Sequence, residues 1–246
     1  MPARAAIDPA LGLAADLRPD AEPEIVELRG DAAGGGWVVV NKPSGLCSVP
    51  GLSPDAQDCV LYRIAEMFPE AAGPMIVHRL DMQTSGLLVL ALDAETHREL
   101  SVQFERRTVG KAYEALVDGV PPERAGVVDL PMRSDHAHRL IQVVDRVQGR
   151  EARTEYEVVG EEAVRGARCA RLRLGPITGR THQLRLHCAH PWEDGGLGCP
   201  ILGDNLYGPT LGVPHRADRL LLHAGLLAFD DPLTGERVSF SVPPAF

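Results

Sequence analysis

The sequence predicts an α+β fold, a mixed and mostly antiparallel sheet with flanking helices. Strand-like segments outnumber helix-like ones and rarely alternate with them, which argues against repeated βαβ units. The 246 residues are 44% hydrophobic, enough for one large core. After residue 36 there is no internal repeat and no linker long enough to separate two domains.

Taken in order, residues 1–36 read as an N-terminal extension, partly disordered. They are rich in Ala, Pro and Asp and end in Gly34-Gly35-Gly36. WVVVN, from residue 37, is a β-branched strand that stops at Lys42-Pro43, and a Gly/Pro-rich loop follows to Pro54. Apolar residues at Val60, Ile64 and Met67 or Phe68 give a helix over 55–68, closed by Pro69. Met75-Ile76-Val77 and Leu87–Leu92 are strand-like runs on either side of a polar turn. A second amphipathic helix is expected over 94–107 and an alternating strand over 111–120. Further strands are expected at 138–144, 153–159, 168–174, 220–229 and 236–242, and a short helix over 181–189. The extension is thus followed by one domain over 37–246.

No run of 18 apolar residues exists, so no membrane span is expected, and the first residues lack a signal-peptide layout. Five cysteines at irregular spacing, with no C-x-x-C, suit a reduced cytoplasmic protein. The net charge of −9 argues against a nucleic-acid partner. The distribution reverses this, since residues 98–190 hold 16 basic against 13 acidic side chains. Of the 25 basic residues only Lys42 and Lys111 are lysines, and the arginine fork suits phosphate.

Nucleotide-cradling loops (G-x-x-x-x-G-K-[ST], G-x-G-x-x-G) and the G-x-S-x-G hydrolase elbow are absent. Asp81 is separated from Thr84 by two residues, unlike the Asp-Thr-Gly of aspartic proteases. His182, His187, Cys188, His190 and Cys199 suggest a metal. However, no pair has zinc spacing, and a helix sets His182 and His187 about 500° apart, so no metal is expected.

HRLDMQTSG (78–86) holds the most informative carboxylate. Asp81 sits in a turn between two apolar runs, and such an aspartate is ordinarily a cap or turn residue. Two other segments give it company. KAYEALV places Tyr113 among small and apolar residues, and TGRTHQLRLH carries Arg180 and Arg185. A carboxylate, a tyrosine and an arginine from three segments can build one pocket. The arginine would orient the carboxylate, and the ring would offer a face for a planar base, worth ~1–3 kcal/mol per stacked base.

Seven segments in order now resemble the RluA family of pseudouridine synthases: VVVNKPSGLCSVPG (38–51), VHRLDMQTSGLLVLAL (77–92), KAYEALVDG (111–119), ARTEYEVV (152–159), PITGRTHQLRLH (176–187), PILGDNLYG (200–208) and RLLLHAGLLAF (219–229). SVPG, HRLDMxTSG, TEYEVV and the closing P-x-x-F are most similar to the short dual-specificity branch, which lacks an S4 domain and modifies ribosomal and transfer RNA. The resemblance implies the pseudouridine synthase fold, a curved sheet crossed by an RNA-binding cleft. It implies isomerisation of uridine in stem-loops of 23S rRNA or tRNA, without cofactor, by a monomer. Asp81 would be the catalyst, paired with Arg185, and Tyr113 would stack on the uracil and help remove the C5 proton. Arg79 would fill the gap left by the flipped nucleotide, while His78, Leu80, Arg180 and His182 would contact substrate. An inactive RNA-binding or ribosome-assembly factor, or an rRNA-only synthase, are the alternatives. The trio Asp81, Tyr113 and Arg185 discriminates against the former. The chain departs from the family in CAHPWEDGGLGC (188–199), a longer link expected at the cleft edge.

Overall fold

The computed structural model describes residues 21–30, 35–51, 57–138, 140–208 and 216–246. Residues 1–20, most of the expected extension, lie outside them.

The two apolar runs become β2 (Gly36–Lys42) and β3 (Ser85–Ala91), paired antiparallel. Both faces of this ribbon are covered. Val38, Val40, Leu88 and Leu90 pack with Val60 and Ile64 of α1 (Val60–Met67) on one side. Trp37, Val39, Leu87 and Val89 pack with Leu100 of α2 (Ala94–Glu105) and Phe229 on the other. Double burial is why both strands read as continuous apolar runs and not as alternation. Asp93 caps α2 by accepting from Glu95 N and Thr96 N, both at 2.9 Å, and its other oxygen takes Gly36 N at 2.7 Å.

The remaining elements are β1 (Glu24–Gly30), β4 (Gly110–Asp118), β5 (Ala125–Asp129), β6 (Met132–Ser134), β7 (Gln142–Val144), β8 (Arg153–Val164), β9 (Ala167–Pro176), α3 (Gln183–Ala189), β10 (Leu222–Asp230) and β11 (Arg237–Ser241). Nine strands form one sheet in the order β1-β2-β3-β10-β4-β9-β8-β5, with β11 on β10, and β6-β7 form a separate ribbon. Among the described strands only β3 and β10 pair in parallel, so the sheet is mixed and mostly antiparallel as expected. A second core lies where β4, β9 and β8 meet α3, around Ala115, Leu172, Leu174 and Leu184.

Three local expectations need correction. Residues 24–30, read as poorly packed, form edge strand β1 on β2. Its side chains are mostly exposed and include Glu24, Glu27 and Arg29; backbone pairing to β2 and the packing of Val26 against the core hold it. Residues 75–77 make one bridge, Ile76 to Leu90, and no strand. The 138–144 segment is strand only from Gln142, and β5, five residues with one buried side chain, was not expected.

Candidate active site

The Asp81 turn is built by the loop that follows β2. Asp81 O accepts from Thr84 N at 3.0 Å, which closes the turn. Lys42, fully buried, donates from Nζ to Pro43 O, Leu46 O and Met82 O at 2.8, 2.7 and 2.9 Å. Burial pulls its pKa down to about 7, against the neighbouring Cys47 and Asp81. Three carbonyls match the three donors of an ammonium and favour the protonated form. Ser44 Oγ donates to Gln83 O at 2.7 Å, Gly45 N to Met82 O at 2.9 Å, and Ser48 Oγ bonds both Leu80 O and Leu80 N at 2.8 and 3.1 Å. Residues 80–83 are therefore clamped from one side, and the NKPSG segment is the clamp.

Registration across the sheet places the tyrosine. Ala224 of β10 pairs with Gly86 of β3 on one side and with Tyr113 of β4 on the other. Gly86 has φ +117°, and a Cβ there would lie 2.4 Å from Ala224 O, so only glycine fits. A buried Ser85 Oγ–His223 Nδ1 hydrogen bond of 2.9 Å joins the same two strands.

A cleft of about 700 Å³ opens over this junction, lined by Asp81, Arg79, Tyr113, Lys111, Arg107, Leu222 and the 176–185 loop. The charge of Asp81 is felt by Lys42, Tyr113, His182, Arg185 and Tyr207, from four separate segments. Burial, with Asp81 adding, raises the Tyr113 pKa well above its ordinary value, so the phenol stays neutral. Of the expected trio, all three line the cleft.

One expected pairing is corrected. Arg185, 3% exposed, forms a two-pronged ion pair with Asp204 instead of with Asp81: Nε–Oδ2 2.8 Å and Nη2–Oδ1 2.7 Å. Its guanidinium also stands 5.5 Å from the centre of the Tyr207 ring. Burial would lower the Arg185 pKa, but Asp204, its hydrogen bonds and Asp81 together raise it. Asp204 and Tyr207 both come from PILGDNLYG. The sequence marked this motif but gave them no role, because nothing in the spacing shows which carboxylate reaches the arginine.

The other expected residues divide. Arg79 is exposed on the cleft wall. Leu80 also lines the cleft, yet its side chain is 5% exposed and belongs to the core beneath. His78 stacks on Phe104 at 4.4 Å and its Nε2 accepts from Val89 N at 3.1 Å, which makes it a wall residue. Burial, with Lys111 adding, drops its pKa to about 3, in keeping with an accepting, neutral ring. His182 adopts φ +55° at the start of α3, and its Nδ1 meets Tyr207 Oη at 3.1 Å. Gln183, not foreseen, ties the TGR loop to β8: its Oε1 accepts from Thr178 Oγ1 and Arg180 N, and its Nε2 donates to Arg153 O. Arg180 donates from Nε to Glu151 O at 2.9 Å. The 188–199 link is not part of the cleft lining. It folds back on α3 through Leu197 N–His187 O and Cys199 N–Cys188 O bonds of 3.0 and 2.8 Å.

Solved structures share this fold. Human RNA pseudouridylate synthase domain containing 1 superposes with a TM-score of 0.72 at 29% identity, covering 92% of this chain and 84% of that one. Human RNA pseudouridylate synthase domain containing 4 gives 0.65 at 30% identity, covering 90% and 88%. The family model described as RNA pseudouridylate synthase matches residues 36–190. The dual-specificity RNA pseudouridine synthase RluA of Escherichia coli K12 is 44% identical over 231 residues, 94% of this chain and 98% of that protein. Its Pasteurella multocida counterpart is 45% identical over 212 residues, 85% and 90% of the two chains. The chain belongs to the RNA pseudouridylate synthase family and is an isomerase of uridine in RNA.

Proposed function

We propose that the enzyme converts particular uridines in stem-loops of 23S rRNA, of the tRNA anticodon arm, or of both, with Asp81 as catalyst. The observation that carries this reading is that Tyr113, His182 and Arg185 line one cleft with Asp81 and lie within reach of its charge. The N1–C1′ bond breaks, the uracil turns, C5 bonds to C1′, and the C5 proton leaves while N1 gains one. Asp81 starts this either by attacking the substrate or by removing a sugar proton. Arg185, held by Asp204 and Tyr207, supplies a fixed positive charge beside the reacting centre. Tyr113, as a neutral phenol, stacks on the uracil and relays the C5 proton. The uridine must first leave its stack, at a cost of a few kcal/mol that is least in a loop, and Arg79 occupies the space it vacates.

No redox step or external group enters this reaction, so we propose that it runs without cofactor or metal. We propose that the enzyme acts as a monomer. Five free cysteines suit the reducing cytoplasm. We take residues 37–246 as the catalytic domain, with β1 added to its edge.

The name of the bacterial relatives, dual-specificity, supports two RNA classes. The test is conversion of an isolated anticodon stem-loop of about 17 nucleotides, the size such a cleft can span, beside a 23S rRNA fragment. Conversion of both is expected. Conversion of the 23S fragment alone identifies an rRNA-only synthase.

A further inference from the structure

We propose that Arg107, Arg150 and Arg180 form a binding site for a backbone phosphate of the substrate RNA at the rim of the cleft. The proposal rests on the RNA-modifying reading and locates a contact for it. The three side chains come from separate places: just past α2, the loop after β7, and the loop before α3. Glu151 gathers them. Its carboxylate meets Arg107 Nη2 at 3.3 Å, its carbonyl takes Arg180 Nε at 2.9 Å, and Arg150 precedes it in the chain. The charges of Arg150, Arg107 and Glu151 all reach Arg180. Among the described residues Arg150 has no side-chain hydrogen bond or ion pair, and the Arg180 terminal nitrogens have none either. Burial and the charges of Arg150 and Arg107 lower the Arg180 pKa, the sign of unneutralised crowding. Elsewhere on the sheet, arginines sit against carboxylates, as Arg124 and Arg168 do on Glu161 and Arg173 on Glu157. In a chain of net charge −9, an open triad beside the cleft is a place for an anion.

The backbone conformation of Arg107 decides which substitution can separate binding from folding. Arg107 has φ +58°, at the position after the α2 C-cap where glycine is favoured. The other arginine with positive φ, Arg165, is explained by its hairpin turn, where Gly166 follows and Asp218 pairs with it at 3.0 Å. The end of α2 accounts for Arg107 in the same way: Arg107 N donates to Phe104 O at 3.2 Å and Thr108 N to Gln103 O at 3.0 Å, so its φ is helix-end geometry that glycine also adopts. Arg107 and Arg180 line the same cleft as Asp81, so the phosphate would belong to the strand that delivers the uridine.

The test uses the full chain and a stem-loop RNA that the wild type converts. Affinity is measured by filter binding from 50 to 300 mM KCl and fold by thermal melting, for wild type, Arg107→Gly, Arg107→Lys and Arg150→Ala. Arg107→Gly should melt no lower than wild type, since glycine suits φ +58°, yet bind RNA roughly five- to tenfold more weakly. Its log–log salt slope should be reduced by about 0.7–0.9, one phosphate contact. Arg150→Ala should do the same, and Arg107→Lys should keep most of the affinity. Unchanged affinity and slope in both Arg107→Gly and Arg150→Ala would overturn the site. A wild type that binds but converts no RNA would count against the enzymatic reading and not against the phosphate site, because the salt slopes remain readable.

Discussion

Asp204→Asn isolates what holds Arg185. The substitution keeps Oδ1, which accepts from Leu206 N at 2.9 Å and Tyr207 N at 3.0 Å, so the local turn survives. It replaces Oδ2, the acceptor of Arg185 Nε at 2.8 Å, with an NH₂ that cannot accept, and it removes the charge. Loss of one partner from a buried ion pair costs ~3–5 kcal/mol. The retained Oδ1 bonds and the nearby Asp81 charge place this case at the low end, about 3 kcal/mol. A fold worth ~5–15 kcal/mol survives that. With a urea slope of about 3 kcal/mol per molar, the midpoint should fall by about 1 M. Single-turnover isomerisation should fall at least tenfold, since Arg185 no longer points in a fixed direction. The double variant Arg185→Met with Asp204→Leu should recover most of the stability and none of the activity, because apolar groups can replace a buried pair in the fold but not in the chemistry. A midpoint within 0.3 M of wild type (about 1 kcal/mol at that slope), together with turnover within threefold, would refute the reasoning.

Three further outcomes are expected. Tyr113→Phe keeps the stacking face and loses the hydroxyl, so single-turnover rate should drop more than RNA affinity; a fully active variant would leave the hydroxyl without a chemical role. Arg79→Ala should slow conversion of a structured stem-loop by roughly 10- to 100-fold, on the order of 1.4–2.8 kcal/mol, and of an unstructured oligonucleotide much less; equal ratios on the two RNAs would remove Arg79 from the flipping step. Burial drops the His187 pKa to about 4 from its ordinary 6.5. Between those values the unfolded chain takes up a proton that the native state refuses. Stability should therefore fall as pH falls from 6.5 toward 4, by up to about 1.4 kcal/mol per pH unit, with no contribution above that window. Urea midpoints at pH 7.5, 6 and 5 check this, and a slope unchanged in His187→Gln would contradict it.

The parts legible in the sequence were those where side chains alone set the structure. Doubly buried β2 and β3 announced themselves as apolar runs, and α2 by its period. The gathering of Asp81, Tyr113 and Arg185 around one cleft was legible because their motifs are short and local. What escaped depends on contacts between distant segments. Edge strand β1 is short and mostly exposed, and its three apolar residues sit among charged ones beside a Pro- and Ala-rich stretch, which masked it. Lys42 looked like the end of a strand, yet its ammonium organises the turn 40 residues on, through carbonyls that carry no sequence signal. The partner of Arg185 was misassigned for the same reason. Two aspartates lie within electrostatic reach of it, and only packing decides that Asp204 takes both hydrogen bonds. The 188–199 link, expected at the cleft edge from its length, is drawn away by its own backbone bonds to α3.

The central claim is that Asp81 performs the isomerisation, and tritium release from RNA labelled at uridine C5 tests it most directly. Asp81→Asn removes one charge and little volume from a turn held through backbone atoms, so the fold and RNA affinity should stay within a few-fold of wild type. The account predicts wild-type release on a stem-loop or 23S fragment and none above background from Asp81→Asn under single-turnover conditions. Release by the variant within tenfold of wild type would contradict it.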